Sequence, residues 1–157
     1  MRLDYRNTFP PALEAMLGLE RAVRESTLEP ELFELVKMRA SQLNGCAYCL
    51  DMHSKDARAR GESEQRLYVL AAWREAPFYS ERERAALAWC EALTLLPQTG
   101  APDDVYAELE RLFEPEEIVA LTLAIVAING WNRFAVGLRA EVGGYVSPLA
   151  ERQEVAG

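Results

Sequence analysis

Apolar residues in this chain recur every three or four positions in segment after segment, and nowhere alternate long enough to make a strand. From Phe9-Pro10-Pro11, the residues Leu13, Met16, Leu17, Leu19 and Val23 follow helical spacing to about Arg24. Pro30 suits a first helical turn. Leu32, Leu35, Val36, Met38, Ala40 and Leu43 then predict a helix closed by Asn44-Gly45. A third helix is expected from about Cys46 to Arg60, stopped by Gly61. Ser63 should cap a segment carrying Leu67, Val69, Leu70, Ala72 and Trp73 that ends before Pro77. Ser80-Glu81-Arg82-Glu83 is a capping-box pattern, and it opens a helix through Leu96. After a break over residues 95–102, Asp103 and Asp104 favour the first turn of a short helix to Phe113. Pro115-Glu116-Glu117 opens the last and most apolar helix, which should reach about Glu141. The reading is an all-α bundle of about seven helices, one domain over residues 1–157, with no linker or repeat.

Bulk properties narrow the function. A chain of 157 residues can bury a core without covalent staples. Its net charge of −8 repels phosphate backbones, which argues against nucleic-acid binding. The longest apolar run, Ile118 to Ile128, is about 11 residues and falls short of a bilayer, so no membrane span is expected. Residues 1–7 carry no hydrophobic region of the signal-peptide kind, and three cysteines do not suggest a disulfide framework. A reducing cytoplasm is therefore the expected location, where a paired-cysteine motif is redox-active or metal-binding rather than a staple.

That motif is Cys46-Ala47-Tyr48-Cys49-Leu50-Asp51-Met52-His53, and His53 is the chain's sole histidine. On a helix, Cys49 and His53 lie on one face a turn apart, so the imidazole can reach the sulfur. A thiol needs a base or cation beside it to become a nucleophile near neutral pH. Two arguments then name different sulfurs. Cys46, following the Asn44-Gly45 turn, sits where unsatisfied N–H groups and the helix dipole stabilise a thiolate. Cys49 has the better-placed proton acceptor. Glu34, three turns down the preceding helix, meets His53 only if the two helices run antiparallel, and could then orient the imidazole and pass its proton. Zinc held by Cys46, Cys49, His53 and a carboxylate is the metal alternative, but structural sites bring ligands from two separated knuckles and no second pair exists here. A c-type haem site would need His directly after the second cysteine, where Leu50 stands. A pair of inert core thiols is the remaining alternative.

Glu34, Cys46, Cys49 and His53, in this spacing, resemble the signature of the alkylhydroperoxidase D-like proteins of the carboxymuconolactone decarboxylase superfamily. The stretch Lys37 to Gly45 is similar to that family's lead-in helix. Asn129-Gly130-Trp131-Asn132-Arg133-Phe134 resembles its Asn-x-Trp-Asn-Arg segment. The resemblance covers about residues 30 to 140. It implies an all-α fold with the cysteine pair at a helix N-terminus, assembled as trimers or hexamers. It also implies reduction of hydroperoxides by thiols, with no metal and no bound cofactor. In that scheme Cys49 is oxidised to a sulfenic acid and Cys46 condenses with it to a disulfide. An external dithiol or protein reductant reopens the disulfide, and His53 and Glu34 form the proton relay. The best-studied branch has a histidine where Tyr48 stands, and the decarboxylase branch typically lacks the cysteine pair. The same pair would also serve protein thiol–disulfide exchange or redox sensing.

Other residues read more plainly. Cys90 lies mid-helix among apolar neighbours and is taken as a core thiol. Trp131-Asn132-Arg133 could line the active site, but its polar residues more simply satisfy contacts between helices or subunits, and Trp73 and Trp89 should anchor a core or interface. Glu81-Arg82-Glu83-Arg84 reads as a solvated face, and Glu114, Glu116 and Glu117 as acidic residues serving a helix N-terminus.

Overall fold

Proline, glycine and capping side chains cut the chain where the sequence suggests. The structure, a computed structural model, describes residues 1–150; the part of the domain expectation that falls on residues 151–157 lies outside them. Among the described residues every regular element is helical: α1 (Tyr5–Thr8), α2 (Pro10–Arg24), α3 (Pro30–Leu43), α4 (Ala47–Ala59), α5 (Glu64–Val69), a 3-10 turn (Leu70–Ala72), α6 (Glu81–Thr94), α7 (Leu96–Thr99), α8 (Asp103–Leu112) and α9 (Pro115–Leu138). α3 lies at the centre, packed against α4, α6 and α9, while α2 lies along α9.

The junction between α3 and α4 positions the cysteines. Gly45 takes the left-handed backbone, φ 63°, that a residue with a Cβ rarely adopts. Its N–H donates to the Gln42 carbonyl, and the Cys46 N–H donates to the Ser41 carbonyl at 3.0 Å, a Schellman closure of α3. Cys46 is thus the last residue of one capping motif. It is also the N-cap of the next helix, where its Sγ accepts the Cys49 N–H at 3.3 Å. The expected placement of the cysteine pair at a helix N-terminus holds.

Two apolar clusters fill the interior. One gathers Val36, Ala40, Cys90, Leu121, Ile125 and Ile128 with both motif cysteines; the other joins Leu35, Met38, Leu67, Leu70, Trp73 and Leu87. Cys90 is fully buried, donates to the Val36 carbonyl at 3.3 Å, and burial pushes its thiol up to about 12. The core-thiol reading stands.

The structure departs from the sequence reading in five places. The segment from Ser63 to Pro77 is a short helix followed by a 3-10 turn, because Arg84 and Arg66 capture the carbonyls of Arg74, Ala76 and Phe78 and hold the chain out of the helical path. Leu96–Thr99 forms one turn, closed by Gly100 at φ 65°. α1, capped by Asp4, precedes the first expected helix, and α9 stops at Leu138 because Arg139 turns left-handed. The run Glu81–Arg84 is only partly a solvated face. Arg82 ties Glu29 at the start of α3 to Glu117 at the start of α9, and Glu83 closes the capping box on Ser80. α9 itself, at 24 residues and mean hydropathy 1.4, is long and apolar enough to cross a membrane by composition, although half of that stretch is buried within the fold.

Polar side chains on α9 lock the α3–α4 turn. Asn44 Nδ2 donates to Asn132 Oδ1 at 2.8 Å and to Asn129 Oδ1 at 3.0 Å, and Asn132 Nδ2 donates to Ser41 Oγ at 3.1 Å. Asn132 is 1% exposed, so deleting its amide leaves the buried Ser41 hydroxyl without this donor and takes one of two acceptors from the half-buried Asn44. Asn132→Ala should cost about 1–3 kcal/mol in urea unfolding. A loss under about 0.3 kcal/mol would show that the turn does not depend on this network.

Candidate functional site

Antiparallel packing of α3 and α4 brings Glu34 level with His53. Nδ1 of His53 and Oε2 of Glu34 lie 2.8 Å apart, and both residues are buried, at 5% and 7% exposure. The carboxylate also faces Arg60, whose Nε is 3.8 Å from Oε1, and feels the charge of Lys37. Burial alone would raise the Glu34 carboxyl. The hydrogen bond from His53, with the positive charges of His53, Lys37 and Arg60, outweighs it and holds the group below its usual range. Lys37 is itself buried and paired with Glu20 at 2.7 Å, and Glu20 also accepts from Trp131 Nε1 at 3.1 Å. This second buried pair ties α3 to α2 and α9.

The four residues singled out in the sequence form two pairs on the α3–α4 hairpin: Glu34 with His53 part-way down the two helices, and Cys46 with Cys49 at the turn. Cys46 and Cys49 are joined as a disulfide with Cα atoms 5.4 Å apart, and each is 1% exposed. His53 stands one turn beyond Cys49 on the inner face of α4.

Three further residues complete the site and were not singled out in the sequence. Asp56, one turn past His53, accepts from the Tyr145 hydroxyl at 2.9 Å and from Ser147 Oγ at 2.6 Å. The segment carrying Tyr145 and Ser147 is strapped along α4 by Lys55 Nζ donating to the Tyr145 carbonyl at 2.8 Å and by the Gly143 N–H donating to Asp51 at 3.3 Å. Burial, the Asp56 hydrogen bond and the nearby Glu34 carboxylate hold the Tyr145 phenol above its usual range. The helical spacing of His53 and Asp56 was a visible signal; the strap, about 90 residues away, had none.

As metal donors, Glu34, His53 and Asp56 offer ligand atoms that all lie within 4.8 Å of one another. That set contains no thiolate, so it is not the zinc arrangement weighed from the sequence. Each of its acidic members already accepts hydrogen bonds, and Lys37 and Arg60 supply positive charge that opposes a cation there.

A cavity of about 160 Å³ opens beside the disulfide, between the start of α4 and the end of α9. Cys46 and Tyr48 form one wall, with Ala135, Val136, Arg139 and Val142 opposite. It reaches Cys46; Cys49 is not part of its wall. Arg6 Nη2 donates to the Tyr48 hydroxyl at 3.2 Å, holding this ring between the two cysteines in sequence.

A model of the carboxymuconolactone decarboxylase family matches residues 10–92 of the chain. The uncharacterized protein YdfG of Bacillus subtilis is 42% identical over 137 residues, 87% of this chain and 93% of that protein. The uncharacterized protein YnjA of Escherichia coli is 34% identical over 116 residues, 74% of this chain and 62% of that one. Among solved structures, a protein of unknown function from Agrobacterium tumefaciens, suggested to be the antioxidant defence protein AhpD, superposes with a TM-score of 0.88 at 47% identity, covering 92% of this chain and 99% of that one. The debrominase Bmp8 shares the fold at a TM-score of 0.78 and 23% identity, over 88% of this chain and 74% of that one.

The Glu34 shift fixes the sign of a pH effect. A carboxyl depressed by folding contributes stability that is fully present above its unfolded pKa of about 4.3 and is lost as pH falls through the folded value. The stability difference between wild type and Glu34→Gln should shrink as pH falls below about 4.3. A difference that grows on acidification, followed by urea unfolding across that range, would contradict the ion-pair account.

Proposed function

The chain belongs to the carboxymuconolactone decarboxylase family and is AhpD-like within it, and on that premise we propose that it is a thiol-dependent peroxidase. The observation that carries the reading is the buried Glu34–His53 pair on the same helical hairpin as the Cys46–Cys49 disulfide. In the reduced protein, the Cys49 proton passes to His53, whose imidazole is oriented by Glu34. The Cys49 thiolate then attacks the distal peroxide oxygen, the O–O bond breaks, and the leaving alkoxide takes the proton from His53. Cys49 becomes a sulfenic acid. Cys46 condenses with it, water leaves, and the disulfide forms. An external dithiol or protein reductant reduces the disulfide and becomes oxidised in turn. No metal or organic cofactor enters this cycle.

The proposal includes a homo-oligomer, trimer or hexamer, in a cytoplasmic setting. Exposed Val119, Val126 and Val136 along α9 supply apolar surface for such an assembly. A second reading, thiol–disulfide exchange with another protein, draws on the cavity that has Cys46 in its wall. The debrominase activity of Bmp8 belongs to a protein that shares only the fold.

Cys46→Ser and Cys49→Ser should each reduce peroxide turnover with a dithiol by at least about a thousandfold, the scale expected when the nucleophile or its resolving partner is lost. Sulfenic acid should accumulate in Cys46→Ser and not in Cys49→Ser. Full turnover in either variant would remove the disulfide cycle. His53→Gln should move the pH profile of thiol alkylation upward, and an unchanged profile would remove the relay. Thiol–disulfide exchange without peroxide consumption would favour the second reading.

A further inference from the structure

The cavity beside the disulfide has one charged wall residue, Arg139, and no carboxylate in its lining. In a chain of net charge −8 that is a local inversion of sign. The Arg139 guanidinium has no hydrogen-bond or ion-pair partner among the described residues. Its backbone is left-handed, at φ 56° and ψ 60°, a conformation for which a helix end ordinarily uses glycine. A side chain kept at a position that favours its absence points to a use for that side chain. A cation also favours a helix C-terminus, but any position in the last turn would serve that purpose without the strained backbone. Across the cavity Arg6 holds the Tyr48 hydroxyl, so a second guanidinium stands behind the opposite wall. The remaining walls, Ala135, Val136 and Val142, are apolar. The space, about 160 Å³, matches roughly five water molecules, which admits a small organic molecule. Cys46 is the only cysteine in its lining.

Resting on the peroxidase reading, which leaves the reductant open, we propose that the disulfide is opened by a small thiol with an anionic end. Its carboxylate pairs with Arg139 while its thiolate attacks Cys46. The Cys46–Cys49 bond breaks, Cys49 leaves as the thiolate, and the His53 relay protonates it. The incoming thiol is now joined to Cys46 as a mixed disulfide. A second thiol of the same class attacks the incoming sulfur, releases Cys46 as a thiolate and departs as the oxidised, symmetric disulfide. Two thiols lose two electrons and the protein disulfide gains them. The division of labour reconciles the two arguments about the cysteines: Cys49 is the sulfur that the relay serves, and Cys46, though 1% exposed, is the cysteine that lines the cavity.

The test needs no peroxide, so it stands or falls apart from the peroxidase reading. Oxidised protein is mixed with mercaptopropionate or with mercaptopropionamide, which differ only in the charge of the far end. The reaction is quenched in acid, and the mixed disulfide is quantified and located by mass spectrometry. Rates are compared per thiolate. The carboxylate reagent should react about fivefold faster or more, against the overall repulsion of an acidic protein, and the adduct should sit on Cys46. Arg139→Gln should abolish the preference and Arg139→Lys should retain part of it, with helical circular dichroism confirming that both remain folded. An equal or faster reaction of the neutral thiol, a preference that survives Arg139→Gln, an adduct on Cys49, or no reaction with either thiol would overturn the proposal.

Discussion

The site depends on one requirement: a carboxylate buried in the middle of a helical bundle must have a partner. Glu34 is nearly sealed from water, and an unpaired charge there would cost several kcal/mol, on the order of the whole stability of a small domain. His53 supplies the hydrogen bond, with Lys37 and Arg60 adding positive charge. Satisfying Glu34 fixes the register of α3 against α4. That register in turn places the first turn of α4, with its two cysteines, at the end of the hairpin. Stability and chemistry therefore draw on the same contact.

The turn between those helices carries a comparable double duty. Gly45 permits the left-handed step that closes α3, and Cys46 at once completes that closure and caps α4. Asn44, Asn129, Asn132 and Ser41 fasten the turn to α9 from the side. The polar residues of the Asn129–Arg133 segment thus act at a distance from the sulfurs, by holding the backbone that presents them. For Asn129 and Asn132 this agrees with their reading as contacts between helices, whereas Arg133 bonds Asn129 within α9 itself.

Much of the site was legible because local rules govern it. Helical spacing alone put Cys49 and His53 on one face, and the Asn44-Gly45 turn put Cys46 at a helix start. The carboxylate was legible only through the family resemblance, since nothing local links Glu34 to a histidine 19 residues away. Asp56 shared His53's face but had no visible purpose until Tyr145 and Ser147 came over it. The charge run on α6 was misread in part for the same reason. Alternating signs on a helix look solvated until a partner such as Glu29 or Glu117 arrives from elsewhere in the chain.

By itself the sequence determined the helical class, the main breaks and the chemistry available, because periodicity, capping and thiol reactivity act within a few residues. Tertiary structure decided which groups meet. It paired Glu34 with His53, laid the Tyr145 strap over α4, and opened a cavity onto Cys46 with Arg139 at its edge. These are contacts between positions far apart in the chain. Their energies come from burial and charge neutralisation, which exist only once the helices have packed.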